Sequence, residues 1–302
     1  MTEAGAEATV GSRRWSVLLV ACLGMACAST RHGELPPPSP EAERPAEESK
    51  GWTKEQKLVA VNAAAAVAIG IYGFQFWDYG DKNFQVIDEG WFGQNTSYGG
   101  ADKLGHAYSS YLFALGFASL YEGWGYERSK ADLYGAISSM AAFTLIEVGD
   151  GFSKNGFSWE DLAVDAAGVA FGYWRRRVPA VGRLVDFRVE YIPSETFLEG
   201  EHSDIVTDYS GFKYLLALKL DGIEALSKTP LGWFELQAGY YTRGFATGDD
   251  EFFNEKTRKA YVAIGLNVSR ILSKLGFRKL GKFFEFYQAP YTYVPFDWTI
   301  PP

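Results

Sequence analysis

Between Thr53 and about Trp174 the apolar positions recur at helical spacing, and after Pro179 they recur at every second residue. The first apolar run, Leu58 to Trp77, is interrupted only by polar positions such as Asn62 and Gln75 and is dense in alanine. It is long enough to cross a bilayer, but its alanine content favours a buried or membrane-abutting helix. Further helices are expected over about Lys103–Tyr121 and Ser129–Glu147, and from Ser158 to the basic cluster Arg175, Arg176 and Arg177. Cations in a last turn suit the helix dipole, and Pro179 follows as a stop signal. Gly105, Gly116, Gly135, Gly168 and Gly172 permit close helix–helix approach.

In the second part, Phe212, Tyr214, Leu216, Leu218 and Leu220 alternate with Lys213, Leu215, Ala217, Lys219 and Asp221. Trp233–Arg243 and Tyr261–Arg270 behave alike, and Arg188–Ile192 and Phe283–Tyr293 are shorter strand candidates. The chain therefore reads as α+β, with an N-terminal small helical bundle of about four helices followed by an antiparallel β region of four to six strands. A standard closed barrel needs about eight strands, so a small sheet packed on the helices or lying against a bilayer is expected. Gly244 to Lys256, acidic and glycine-bearing, reads as a mobile loop.

The N-terminus changes the picture. Arg13 and Arg14 precede a short apolar run from Trp15 to Ala28, the arrangement of a secretory signal peptide. The only cysteines, Cys22 and Cys27, both lie within it, so no disulfide framework is available. Leu19-Val20-Ala21-Cys22 has the form of a lipobox, and Gly24-Met25-Ala26-Cys27 gives a better apolar core length, which points to lipidation at Cys27 ahead of Cys22. Ala26-Cys27-Ala28 also fits cleavage by ordinary signal peptidase, which would leave an unlipidated periplasmic protein. The proline-rich, polar segment that follows cannot bury a core and reads as a tether. The expected organisation is signal peptide 1–28, tether 29–51, helical domain 52–178 and β-rich region 179–302.

The formal net charge of −8 argues against a nucleic-acid partner, which would select a basic stripe. Aromatic residues make up 16% of the chain, a load that suits a membrane interface or an apolar ligand. Membrane lipid or envelope components are the expected partners. The oligomeric state is not legible.

Candidate chemistry concentrates at the ends of the helices. Asp102 and His106 are i,i+4 neighbours, as are Asp161 and Asp165, while Glu147 and Asp150 close the third helix. If the bundle brings these ends together, one histidine and Lys103 face several carboxylates. Structural duties account for part of the set. Asp102 can N-cap its helix, Ser158-Trp159-Glu160-Asp161 has the form of a capping box, and Lys154 can neutralise neighbouring acids. Glu147, at a helix C-terminus, and Asp165, inside an apolar turn, are harder to assign to such duties. The set Asp102, Lys103, His106, Glu147, Asp150, Asp161 and Asp165 reads first as a buried polar network, and second as a ligand-binding or catalytic cleft with His106, Glu147 and Asp165 as acid/base candidates. No cofactor and no metal is expected; a hard divalent ion is the alternative that one histidine among carboxylates would favour. There is no H-E-x-x-H, no G-x-S-x-G and no phosphate-binding glycine loop, and His32 and His202 lie in polar segments away from His106.

Asp102-Lys103-x-Gly105-His106, Glu147-x-x-Asp150-Gly151-Phe152-Ser153, Phe157-Ser158-x-x-Asp161 and Asp165-x-x-Gly168 together resemble the YfiM-like periplasmic lipoproteins, a family of unknown function, distantly similar to VanZ-like proteins. The resemblance covers residues 93–174. It implies an envelope location and an ordered polar centre. VanZ-like proteins, linked to glycopeptide resistance, carry asparagine where this chain has Asp165, and no catalytic mechanism carries over.

The expected function is that of an exported envelope lipoprotein with a structural or binding role at the periplasmic face of the outer membrane, more a binding protein than an enzyme. The alternative is a membrane-surface hydrolase acting on phospholipid or cell-wall precursor through a His/carboxylate centre. A third reading is an inner-membrane protein whose Leu58–Trp77 segment spans.

Overall fold

Four long helices come first and a five-stranded antiparallel sheet follows in the computed structural model, which describes residues 51–96, 98–200, 204–245 and 248–302. The expected signal peptide, both cysteines, residues 29–50 of the expected tether, His32 and His202 lie outside the described residues.

The helices are α1 (Lys54–Phe76), α2 (Ala101–Gly123), α3 (Arg128–Asp150) and α4 (Trp159–Arg177). Thr53 and Gln56 form a reciprocal capping box at the start of α1. Ser158 caps α4 by accepting from the Asp161 amide at 3.2 Å. Asp102 does not cap α2: the helix starts one residue earlier, after Gly100 at φ +86°, and Asp102 turns inward.

Helices α2, α3 and α4 pack closely because small residues sit at the crossings. A Cβ on Gly168 would lie 2.0 Å from the Ala107 carbonyl oxygen, and one on Gly135 would lie 2.5 Å from the Ala118 amide nitrogen. Ser139 Oγ donates to the Ser110 carbonyl, and Ser110 Oγ to that of Asp165, which ties the three helices together.

Helix α1, expected to be buried or membrane-abutting, is buried at only a few positions. It leans on α3 with Ile69 and Tyr72 buried, while Val59, Val67, Ile71 and Phe74 are exposed. An alanine-rich helix offers few large side chains for a central core, so it stays at the edge. Both α1 and α3 are long and apolar enough to cross a membrane.

The sheet is a meander of β3 (Val185–Tyr191), β4 (Phe212–Lys219), β5 (Phe234–Arg243), β6 (Thr257–Leu266) and β7 (Tyr293–Thr299); β1 (Val86–Ile87) and β2 (Phe157–Ser158) form a separate two-residue parallel ladder. The Tyr261–Arg270 candidate ends early, because Asn267 accepts from the Arg270 amide and starts the short helix Val268–Lys274. Phe283–Tyr293 is not a strand. Phe283 and Tyr287 stack at 5.4 Å as i,i+4 neighbours after the short helix Arg278–Phe283, and β7 begins only at Tyr293. In the Gly244–Lys256 segment, expected to be a mobile loop, Asp249 is fully buried and accepts from Thr196 and Ser210.

One end of the sheet packs Phe187, Val189, Phe212 and Tyr214 against Tyr108, Tyr111 and Leu112 of α2. The edge of β3 is covered by Phe286 to Gln288, which exchange backbone bonds with Val189 on their way to β7. The sheet thus curls, and its concave face holds charge. Arg188 reaches Glu235 and Asp186 at 2.7 Å each and Gln288 at 3.1 Å, while Lys213 pairs with Glu190 and Lys219 with Asp186. The Arg175 end of α4 is not a solvated terminus. It bonds Asp186 and Glu285 and so joins bundle to sheet.

Candidate functional site

Two neighbouring carboxylate clusters form where the first two turns of α2, the last turn of α3 and the first two turns of α4 meet. The short β1–β2 ladder draws the loop after Ile87 against the start of α4, which adds Glu89 to the meeting point.

In the first cluster Glu89, Asp102 and Asp161 surround the ammonium of Lys103. Lys103 Nζ lies 3.0 Å from Asp102 Oδ2 and 2.8 Å from Asp161 Oδ1, and it also bonds Glu89. Burial alone would push the Lys103 pKa down, but Asp102 and Asp161 outweigh it and raise it. Burial and the neighbouring Asp161 raise the Glu89 carboxyl to about 7 against the pull of Lys103. Asp161 stays below the usual range, because His106, Glu89 and Lys103 outweigh its burial.

In the second cluster His106 faces Glu147 and Asp165. His106 Nδ1 is 3.4 Å from Asp165 Oδ2 and 3.5 Å from Glu147 Oε1. Asp165 is fully buried and Glu147 nearly so. Burial raises the Glu147 carboxyl to about 8, with Asp161, Asp150 and Asp165 adding to the effect and His106 opposing it. Burial also raises Asp165, and it raises Asp150 to about 6 although Asn155 donates to that carboxylate. For His106 burial works the other way, yet the carboxylates of Asp165, Asp161 and Glu147 raise its pKa well above the ordinary value. Glu147 does have a structural bond, since its Oε2 accepts from the Ser158 amide at 3.3 Å.

All seven residues expected to form the polar centre lie at these two clusters or on the wall of the cavity beside them. Asp150 is on that wall rather than in either cluster. Lys154 also borders the cavity but pairs with Asp78 at the surface. The cavity has a volume of about 330 Å³ and is walled on one side by Glu89, His106 and Glu147, and on the other by Ile69, Leu112 and Phe143. Sequence reasoning missed Glu89. Its signal was weak: an acidic pair with Asp88 ahead of Gly90, without periodicity.

Residues 88–177 match the model of a family described as a predicted periplasmic lipoprotein (DUF2279). The matched segment contains every member of both clusters. The match supports an exported, periplasmic protein. No curated protein and no solved structure matches the chain.

Proposed function

We propose that this is an exported envelope lipoprotein, anchored through Cys27 or Cys22, with a structural or binding role at the periplasmic face of the outer membrane and direct contact between its sheet and phospholipid. The finer resemblance to YfiM-like and, distantly, VanZ-like proteins belongs to the same reading. It is supported by the meeting of Asp102, Lys103 and His106 with Glu147, Asp161 and Asp165.

The observation that carries the reading is the polarity of the sheet. In register across the strands run Leu216, Ala238, Val262 and Phe296, and beside them Leu218, Leu236, Ile264 and Val294. Phe296 is 63% exposed, whereas Glu235 on the opposite face is 0% exposed. A sheet with charges inside and branched and aromatic side chains outside has the distribution of a lipid-facing wall. Isolated soluble domains rarely expose a contiguous apolar patch beyond a few hundred Å², roughly.

Charge supports the same occupant. Between the two short helices that follow β6, the exposed segment Lys274-Leu275-Gly276-Phe277-Arg278-Lys279-Leu280 mixes cations with large apolar side chains. That composition suits the headgroup layer of an anionic bilayer. On the helical side, Val67, Ile71 and Phe74 of α1 are exposed, and so are Leu133, Ile137 and Leu145 of α3, the helix against which α1 packs. The protein rests on the bilayer through these surfaces.

Vesicle flotation of the chain from Gly51 onward, which carries no acylation site, tests this. The chain is expected to float with vesicles containing phosphatidylglycerol, and the double variant Ile264→Asp, Phe296→Asp to remain in the dense fraction while keeping its circular dichroism. Failure of the unaltered chain to float with these vesicles would contradict the reading.

A second reading, a hydrolase acting on phospholipid or cell-wall precursor, draws on the placement of His106 between two carboxylates at the wall of a partly apolar cavity. It requires that purified protein release fatty acid or headgroup from such substrates and that His106→Ala abolish this.

A further inference from the structure

The two carboxylate clusters differ in one respect. The first is filled by a cation of the chain itself, the ammonium of Lys103. In the second, the group facing the carboxylates is the His106 imidazole, at 3.4 and 3.5 Å, which becomes a metal ligand by releasing its proton. Glu147 Oε1, 3.5 Å from His106 Nδ1, is buried without a hydrogen-bond partner among the described residues, and so is Asp165 Oδ1. Leaving buried carboxylate oxygens unbonded is costly unless something compensates them.

The spacing says what fits. An ion held at about 2.0–2.2 Å by imidazole nitrogen and carboxylate oxygen sets neighbouring ligand atoms roughly 3 to 3.5 Å apart. His106 Nδ1 stands at 3.4 Å from Asp165 Oδ2 and at 3.5 Å from Glu147 Oε1, and the three side chains each offer a ligand atom within 4.8 Å of the others. His106 and Glu147 also border the cavity, which leaves room for water or a ligand group at further coordination positions.

We propose that His106, Glu147 and Asp165 bind a divalent first-row transition ion of the Mn²⁺ type. One imidazole with two carboxylates suits such an ion better than Mg²⁺ or Ca²⁺, which take oxygen alone, or structural Zn²⁺, which takes sulfur and several imidazoles. Asp161, whose Oδ1 serves Lys103 and whose amide is capped by Ser158, belongs to the first cluster and takes no part as a ligand. This site does not depend on the membrane reading above.

The test uses full-length protein in detergent, stripped of metal and titrated with Mn²⁺ alone. Loss of the free-ion resonance should report close to one bound equivalent, and electron spin-echo modulation should show a directly bound imidazole nitrogen. His106→Gln and Asp165→Asn should each weaken binding by about tenfold or more. The spin-echo measurement on the unaltered chain stands even if both variants fail to fold. Absence of saturable binding, bound Mn²⁺ without nitrogen modulation, or folded variants that bind as well as the parent would each overturn the site.

Discussion

Lys103 Nζ lies 2.8 Å from Asp161 Oδ1, a contact that locks the first turn of α2 to the first turn of α4 inside the protein. Lys103 is 1% exposed, so its three carboxylate partners would be left without their cation if it were removed. Lys103→Met is expected to cost about 3–5 kcal/mol, the range for breaking a buried pair from one side. Urea unfolding measures this, and a loss within experimental error would show that water compensates the cluster.

Stability should fall as pH rises through neutrality. The Glu89 carboxyl has a folded pKa of about 7 against an ordinary value of 4.5, so its contribution is fully present below about pH 4.5 and is lost as pH rises through 7. Melting temperatures recorded from pH 5 to pH 8 should decline, and Glu89→Gln should flatten that decline. An equal slope in parent and variant would remove Glu89 from the account.

Two glycines should respond in opposite directions. Gly168→Ala would place a Cβ 2.0 Å from the backbone oxygen of Ala107 and is expected to destabilise by about 1–3 kcal/mol, as overpacking does. Gly70, inside α1, has nothing within 4 Å of the position a Cβ would take, so Gly70→Ala should stabilise by about 0.5–1 kcal/mol. Thermal denaturation of both variants checks the helix packing in one experiment.

Inside the curled sheet, Arg188 bonds both oxygens of Glu235, at 2.7 and 3.0 Å, and neither residue reaches solvent. Arg188→Leu should therefore destabilise more than Arg188→Leu combined with Glu235→Leu, because the single change strands a buried carboxylate. A double-mutant cycle read by denaturant unfolding shows the order, and the reverse order would mean that water fills the concave face.

Much of this architecture was legible in the chain. The four helices follow from long apolar, small-residue-rich runs and from a stop and start around Gly151 and Ser158. The polar centre follows from i,i+4 spacing, which places Asp102 with His106 and Asp161 with Asp165. Glu89 was not legible, because it reaches the site through a two-residue ladder between segments 71 positions apart, Val86 to Phe157, and no local pattern encodes such a pairing. The orientation of the sheet was hidden for a different reason. Leu216 to Leu218 and Val262 to Ile264 are apolar on both faces, with alanine between the larger residues, so the pattern alone cannot say which face is inside. Only the placement of Arg188, Glu235 and Gln237 on the concave face decides it. Strand β7 begins only at Tyr293, later than the aromatic run suggests, because Phe283 and Tyr287 meet at helical spacing.

Contact between the outer face of the sheet and lipid can be read at a single position. The chain from Gly51 onward contains no cysteine, so Phe296→Cys carries one spin label on the edge strand β7 of that face without further change. On vesicles containing phosphatidylglycerol, the label is predicted to relax strongly with oxygen, which partitions into hydrocarbon, and weakly with a water-soluble nickel chelate. A label that remains fully open to the nickel chelate on vesicles to which the chain is bound would contradict the account.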